Sequence, residues 1–408
     1  MRISTNTIFD NGVRQLGTLQ TGMAKLQLQM STDTRVVTPS DDPVAAARAL
    51  EVTQSQSINT QLTTNRSNAR SSLSQEAVSL SSVSDLMTSM QTLVVSAGNA
   101  SLNDSDRASI ATQLQGNLND LLGLANTSDG NGGYVFSGYK SATQPFNLTA
   151  TGAQYDGDQG QRAVQVGSTR SISISDSGTA VFENNPTGNG TFQTGAATAN
   201  TGAGIVSSGT VTDASALTGH NYSLAFSVTT DTPPVTTYTV NDNSTSPATA
   251  VQSDQPYVAG QTIAFDGMSM NVTGAPADGD SFSVAPSQKQ SVFATITNLI
   301  ATLKQGTVGS AGKAALTNGL NQANDNLKNA LDTVLTVQSD VGSRLNELDS
   351  LDSTGSDLNI QYASTLSDLT GLDLVAAYST FSQQQLTLTA AQKSFTTMSG
   401  LSLFNYIS

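Results

Sequence analysis

The chain has 408 residues, 17 of them basic and 31 acidic for a net charge of -14, with no cysteine, no tryptophan and one histidine. Only 12% of its residues are charged, about half the usual share, so solubility rests on hydroxyl and amide side chains. Without cysteine, disulfides, thiol catalysis and thiolate metal sites are excluded; no Lys or Arg occurs from Ser171 to Gln288, which disfavours nucleic acid and anionic lipid.

The length allows two or three domains. From Asn6 to Ser31 there is no proline, and Leu16, Leu19, Met23, Leu26 and Met30 recur at spacings of 3, 4, 3 and 4. That alternation predicts a helix with one apolar seam, ending near Thr32. The run Pro39-Ser40-Asp41-Asp42-Pro43 is a structural turn that starts a second helix: Asp42 can accept from the free N-H groups of the first turn, and Pro43 loses nothing at the first helical position.

That helix carries Leu62, Arg66, Ala69, Leu73, Glu76, Leu80, Val83, Met87, Met90, Val94 and Ala97, again alternating 4 and 3. Asn103-Asp104-Ser105 caps a third helix with the stripe Ile110, Leu114, Leu118, Leu121 and Ala125, which stops at the breakers Thr127 to Gly133.

The middle of the chain, 141-286, is rich in Gly, Thr, Ser and Val and contains short alternating runs at 162-166, 171-175, 222-228, 237-240, 262-265 and 268-272. These predict antiparallel β structure of sandwich or barrel type. The Gly- and Asn-rich passage 184-204 reads as a loop dividing the region into two lobes.

Beyond the middle, Ser287 and Gln290 have capping-box spacing ahead of a short helix with Val292, Ile296, Leu299 and Leu303. A long helix follows, with Leu316, Leu320, Ala323, Leu327, Ala330, Val334, Val337, Val341, Arg344, Leu348 and Leu351 in the same alternation. Each of the two long seams would extend about 54 Å as helix, and each would leave its stripe in water alone. They are expected to pack together, so the fold class is α+β: a long antiparallel helical rod built from both chain ends, carrying a β-rich middle.

Candidate chemistry is sparse. His220 stands alone beside Gly219 and Asn221, which reads as a surface turn, and one histidine excludes an HExxH site. Asp156-Gly-Asp158 and Asp278-Gly-Asp280 have the spacing that opens a calcium loop, but the first has Gln161 and Gly167 where an EF-hand needs Gly and Glu, so acidic turns are expected. No cofactor and no metal are expected, and no enzyme reading emerges.

The ends are distinctive. From Leu374 to Ser408 the one charged residue is Lys393, while helical spacing continues through Leu374, Tyr378, Phe381, Leu388, Phe395, Met398, Leu401, Phe404 and Ile407. Helices faced with Ser, Thr, Gln and Ala cost little to bury, which suits a subunit that polymerises through its ends. Residues 1-40 and 365-408 are therefore expected to be terminal polymerisation helices, 41-140 and 287-364 a helical rod, and 141-286 an outer β domain.

Six segments carry a resemblance in order: RISTN at 2-6, Pro-Ser-Asp-Asp-Pro at 39-43, Asn65-Arg-Ser-Asn-Ala69, Gly133-Tyr-Val-Phe-Ser-Gly138, Gln338 to Leu348, and Leu401-Ser-Leu-Phe-Asn-Tyr406. Together they resemble the flagellin superfamily, and the Asp42-Pro43 junction and Leu-Phe-Asn-Tyr ending resemble its hook-filament junction branch more than filament flagellin. Residues 265-274 and 278-282 resemble a module of hook-associated proteins, whereas 190-254 match no nameable pattern.

The resemblance implies a non-enzymatic structural subunit outside the cell, in the flagellum, exported without a cleavable signal peptide; the N-terminus shows no basic start followed by an apolar stretch. It implies self-assembly into a ring, a second hook-associated junction protein on one side and flagellin on the other, and an export chaperone. The assembly interface is expected at Leu16, Leu19, Met23, Leu26, Met30, Phe381, Leu388, Phe395, Leu401 and Phe404. The chaperone contact is expected at Leu388, Phe395, Met398, Leu401 and Phe404. No nucleic-acid partner and no membrane insertion are expected. Filament flagellin, and a secreted carbohydrate-binding or adhesive β protein on a helical stalk, are the alternatives.

Overall fold

The computed structural model describes residues 5–400. Among them, helices α1 (Thr5–Thr32), α2 (Pro43–Ala97) and α3 (Asp104–Ala125) precede the β region, and α4 (Val292–Lys304), α5 (Gly309–Thr370) and α6 (Leu374–Gly400) follow it. The described chain forms two compact units, one of the described residues up to 64 together with those from 350 on, and one of residues 65–349.

In the larger unit the seam of α2 is buried at every position from Arg66 to Ala97, and in α5 Leu316, Leu320, Ala323, Leu327, Ala330, Val334, Val341 and Leu348 are buried as well. The two helices run antiparallel: Leu320 lies beside Gly98, and Arg70 pairs with Asp349 at 2.5 Å. Each large seam residue taken out of water is worth roughly 1.5–3 kcal/mol, which is why spacing alone announced the pairing. In α3, Leu114, Leu118, Leu121 and Ala125 are buried and Ile110 is partly so. Its capping box joins Asn103 to Asp106.

The capping of α4 differs from the sequence expectation. Ser291, not Ser287, caps the helix by accepting from the Phe293 N-H. The stretch holding Ser287 instead pairs with the chain around Thr187, including strand pairing of Lys289–Gln290 with Asn185–Pro186. Backbone groups satisfied in a ladder are not free to cap.

The β region holds two hairpins, β1 (Phe146–Thr149) with β2 (Gly152–Tyr155) and β3 (Ala163–Gln165) with β4 (Ser171–Ser173), then short β5 (Asn185–Pro186). Next come β6 (Phe192–Ala196), β7 (Ile205–Val206), β8 (Thr210–Val211), β9 (Tyr222–Val228), β10 (Thr236–Asp242) and β11 (Thr249–Pro256). The last strands are β12 (Thr262–Phe265), β13 (Met268–Thr273), β14 (Ser281–Pro286) and β15 (Lys289–Gln290).

A five-stranded sheet in the order β11-β10-β9-β14-β6 faces a smaller sheet, β12-β13-β7, with β8 also on β13. Alternate residues from both, among them Phe226, Phe282, Val240, Ile263, Met270 and Val272, close one core. This is a sandwich, within the expected class. Every predicted strand is present. The passage 184-204, expected to be a loop, contributes β5 and the edge strand β6, because β6 pairs with β14 through backbone groups that composition does not reveal.

A second, aromatic core joins Phe136, Phe146, Tyr155, Phe182 and Phe293, with ring centroids 5.0–5.9 Å apart. It packs the first hairpin against α4. Phe136 belongs to the segment 133-138, whose terminal Gly138 has φ +70 and lies where a Cβ would strike Asp158. Asp158 needs that approach to accept from the Tyr139 N-H at 2.8 Å.

Candidate assembly site

The smaller compact unit brings the two chain ends together. Helices α1 and α6 are antiparallel: Phe395 closes on Gly12, Gln384 lies beside Gly22, and Thr34 bridges Gly371. At the far end the Phe9 and Phe395 rings pack at a tilt of 43° with centroids 5.0 Å apart. Glycine at position 12 admits that ring, since a Cβ there would stand 2.9 Å from its edge.

Leu16, Leu19, Met23, Leu26 and Met30 on α1 are each half-buried, as are Phe381, Leu388 and Phe395 on α6. Together with Ala377, Gln384 and Ala391, the α6 residues repeat at 4 and 3 and form the line that α1 covers. The structure thus joins eight of the expected interface residues into one intrachain seam. Leu401 and Phe404 lie outside the described residues, and Met398, the next position of that line, is half exposed.

The opposite faces hold large apolar side chains that the seam does not use. On α6, Val375 is 83% exposed, Leu386 72% and Tyr378 65%, and on α1 Val13 and Leu28 are each nearly half exposed. Val375 and Leu386 are eleven residues apart, a separation that returns to nearly the same helix face. Of this second set, which follows no heptad, the sequence pattern singled out Tyr378 and left out the others.

The turn at 39-43 does more than start α2. Asp42 accepts from the Ala45 N-H at 3.0 Å and holds Arg35 at 3.2 Å, and Pro43 is the first residue of the helix. The Ala45 N-H bond, then Arg35, keep the Asp42 carboxyl below the ordinary carboxylate range. Asp41 accepts from the Val37 and Thr38 N-H groups and pairs with Lys25 of α1 at 2.6 Å, and the Lys25 bond first of all holds its carboxyl well below that range. Arg35 also donates to the Leu369 carbonyl at 2.9 Å, and its own N-H donates to the Thr370 carbonyl at 2.7 Å. The two helix breaks, 33-42 and 371-373, are thereby fastened to one another.

The remaining candidates are structural in geometry. His220 Nδ1 is 2.7 Å from Asp242 Oδ2, and Asp242 also accepts from the Ser244 N-H, so the pair fastens a turn at the sandwich end. Asp158 accepts from the Tyr139 and Gly160 N-H groups, and Asp156 from the amides of Asn147 and Gln154. Asp280 accepts from Thr201, Gly202 and Ala277, and Asp278 from Val228. These carboxylates point at N-H donors of their own turns and of the neighbouring segments they fasten. No group of three or more His, Asp or Glu side chains that could hold a metal ion occurs among the described residues.

Residues 3–141 match the bacterial flagellin N-terminal helical region, and residues 196–286 match the D2-like domain of flagellar hook-associated protein 1. The chain is 32% identical to flagellar hook-associated protein 3 of Escherichia coli K12 over 405 residues, 99% of each chain. The chain belongs to the flagellar hook-associated protein 3 family.

Solved members agree. The flagellar junction protein FlgL of Legionella pneumophila superposes with a TM-score of 0.72 at 34% identity, over 79% of this chain and all of that one. FlgL of Xanthomonas campestris gives 0.70 at 30% identity over 77% and 99%. A member of this family is a structural subunit of the bacterial flagellum, placed where hook meets filament. The match over 196–286 covers much of the stretch, 190-254, in which no pattern was recognised; it spans nearly the whole sandwich, from the end of β6 to the end of β14.

Proposed function

We propose that the chain builds the hook-filament junction by packing the outward faces of its α1–α6 pair against further copies of itself. The observation that supports this is the division of labour within the pair. The heptad seam is occupied inside the chain, whereas Val375, Tyr378 and Leu386 stand in water on a face with few charges. Burying such a face costs only neutral hydroxyl and amide groups. The expected seam residues would then shape the assembly surface from beneath, and the exposed set would make the contact.

A second hook-associated protein on the hook side and flagellin on the filament side are the partners this reading assigns. The role is architectural and needs no catalysis. Export proceeds without a cleavable signal, as an unfolded chain. An export chaperone that takes Leu388 and Phe395 must do so before α1 covers them, because both are half-buried in the closed pair; Met398 stays accessible throughout.

The test is a full-length Val375→Asp, Leu386→Asp variant. Both side chains are exposed in the monomer, so the purified protein should unfold at the parent midpoint, while cells should carry hooks without filaments and shed flagellin. Normal filaments on cells that export this variant would overturn the proposal.

A further inference from the structure

The long seams contain three residues that break their apolar rule, Arg66 and Glu76 on α2 and Arg344 on α5. All three receive the same piece of chain, residues 160–177, which includes the β3–β4 hairpin and lies against both helices. Arg66 donates to the Val166 carbonyl at 3.0 Å, and its neighbour Asn65 to the Gln165 carbonyl at 2.9 Å. Arg170 reaches Glu347 of α5 through two bonds.

At the other end of this strap, Asp176 is buried and held by the Arg344 guanidinium at 2.8 and 3.1 Å, with Gln161 donating to it at 2.7 Å. The Asp176 N-H donates to Glu76 Oε1 at 3.0 Å. Glu76 is wholly buried, and its second oxygen, Oε2, has no hydrogen-bond partner.

The charge count does not balance. Two buried carboxyls share one guanidinium, and an unpaired charge away from water is costly unless it is neutralised by a proton. A further charged group among the described residues, Asp340, acts on the cluster through Arg344, and it is also negative. On the α3 side, the neighbouring Ser79 meets the Leu124 carbonyl and the Thr127 hydroxyl, neither of them charged.

We propose that Glu76 holds a proton in the closed structure and that losing it frees the strap from α2 and α5, making the Glu76–Asp176–Arg344 cluster a pH-sensitive latch. Burial first, and the Asp176 charge second, push the Glu76 carboxyl up to about 8. Its folded value is above its unfolded value, so its stabilising contribution is complete below the unfolded value of 4.5 and is lost as pH rises through about 8. The opened strap hydrates Glu76 and returns it to ordinary behaviour. A flagellar subunit meets the pH of the medium directly, so the latch tightens in acid and loosens in alkali.

The test is amide hydrogen exchange in the full-length protein across about pH 6 to about pH 9, corrected for the intrinsic rate, comparing the parent with Glu76→Gln. Glutamine keeps the shape and the acceptor for the Asp176 N-H but cannot ionise. Protection of amides 175–177 in the parent should fall about tenfold per pH unit and level off near pH 8, whereas the variant should show no such slope. Equal slopes in the two proteins, or a flat parent, would overturn the latch. Carbon-13 NMR of the Glu76 carboxyl in the parent decides the matter even if the variant fails to fold: titration above neutrality supports it, and titration in the ordinary carboxylate range contradicts it.

Discussion

The same 3-and-4 spacing runs through the α2–α5 seam and the α1–α6 seam, yet the first is almost completely buried in the larger unit and the second only half-buried. Spacing is therefore not what separates them. In the larger unit the long helices also receive the strap, and α3 reaches α2 through Ser79. In the smaller unit α1 and α6 have mainly each other, and a two-helix pair covers one face of each helix. The incomplete pair is the one that carries exposed Val375, Tyr378 and Leu386. Two helices that stop short of a closed core are suited to being completed by neighbouring subunits, whereas a closed core makes a folded body in the monomer.

This contrast can be broken in several places. Removing residues 374-408 should have the largest effect: filament attachment is lost completely, while the sandwich keeps its near-ultraviolet signature, because none of its core residues comes from α6. Loss of the sandwich signal in the truncated chain would show that the ends support the rest. In the closed seam, Leu80→Ala or Leu327→Ala, both at sites with no exposure, should cost about 2–5 kcal/mol in urea unfolding. The matching change in the open seam, Leu19→Ala at a half-buried site, should cost about 1 kcal/mol and weaken assembly more than it weakens the monomer. A cost at Leu19 equal to that at Leu327 would erase the distinction. The smallest effect is expected outside both seams: His220→Ala removes one turn contact with Asp242 and should leave filament attachment unchanged.

Much of the helical architecture could be read from the residues. The limits of α1, the start of α2 at Pro43 and the burial of both long seams follow from local capping and spacing, which are encoded within a few turns. Strand β14, whose Phe282 and Val284 alternate inward, carried a signal that went unused. Strand β11 carried none, since nearly all its residues are exposed at a sheet edge, and edge pairing is written in the backbone. At the assembly site the seam was readable and the exposed face was not, because periodicity reports burial and the contact residues are the ones left unburied. The strap's two strands were readable from alternation, but its seat on α2 and α5 was signalled by exceptions: a charged residue in an apolar seam demands a buried partner, and Arg66, Glu76 and Arg344 each have one in the same segment.

If the outward face of the α1–α6 pair, and not its seam, makes the junction, charges placed on that face must prevent filament attachment. Electron microscopy of flagella from cells whose sole copy carries Val375→Asp and Leu386→Asp tests it most directly, with secretion of the variant verified in the medium. Those cells should carry intact hooks with no filaments attached and leave flagellin free in the medium. Filaments of normal number and length on those cells would contradict it.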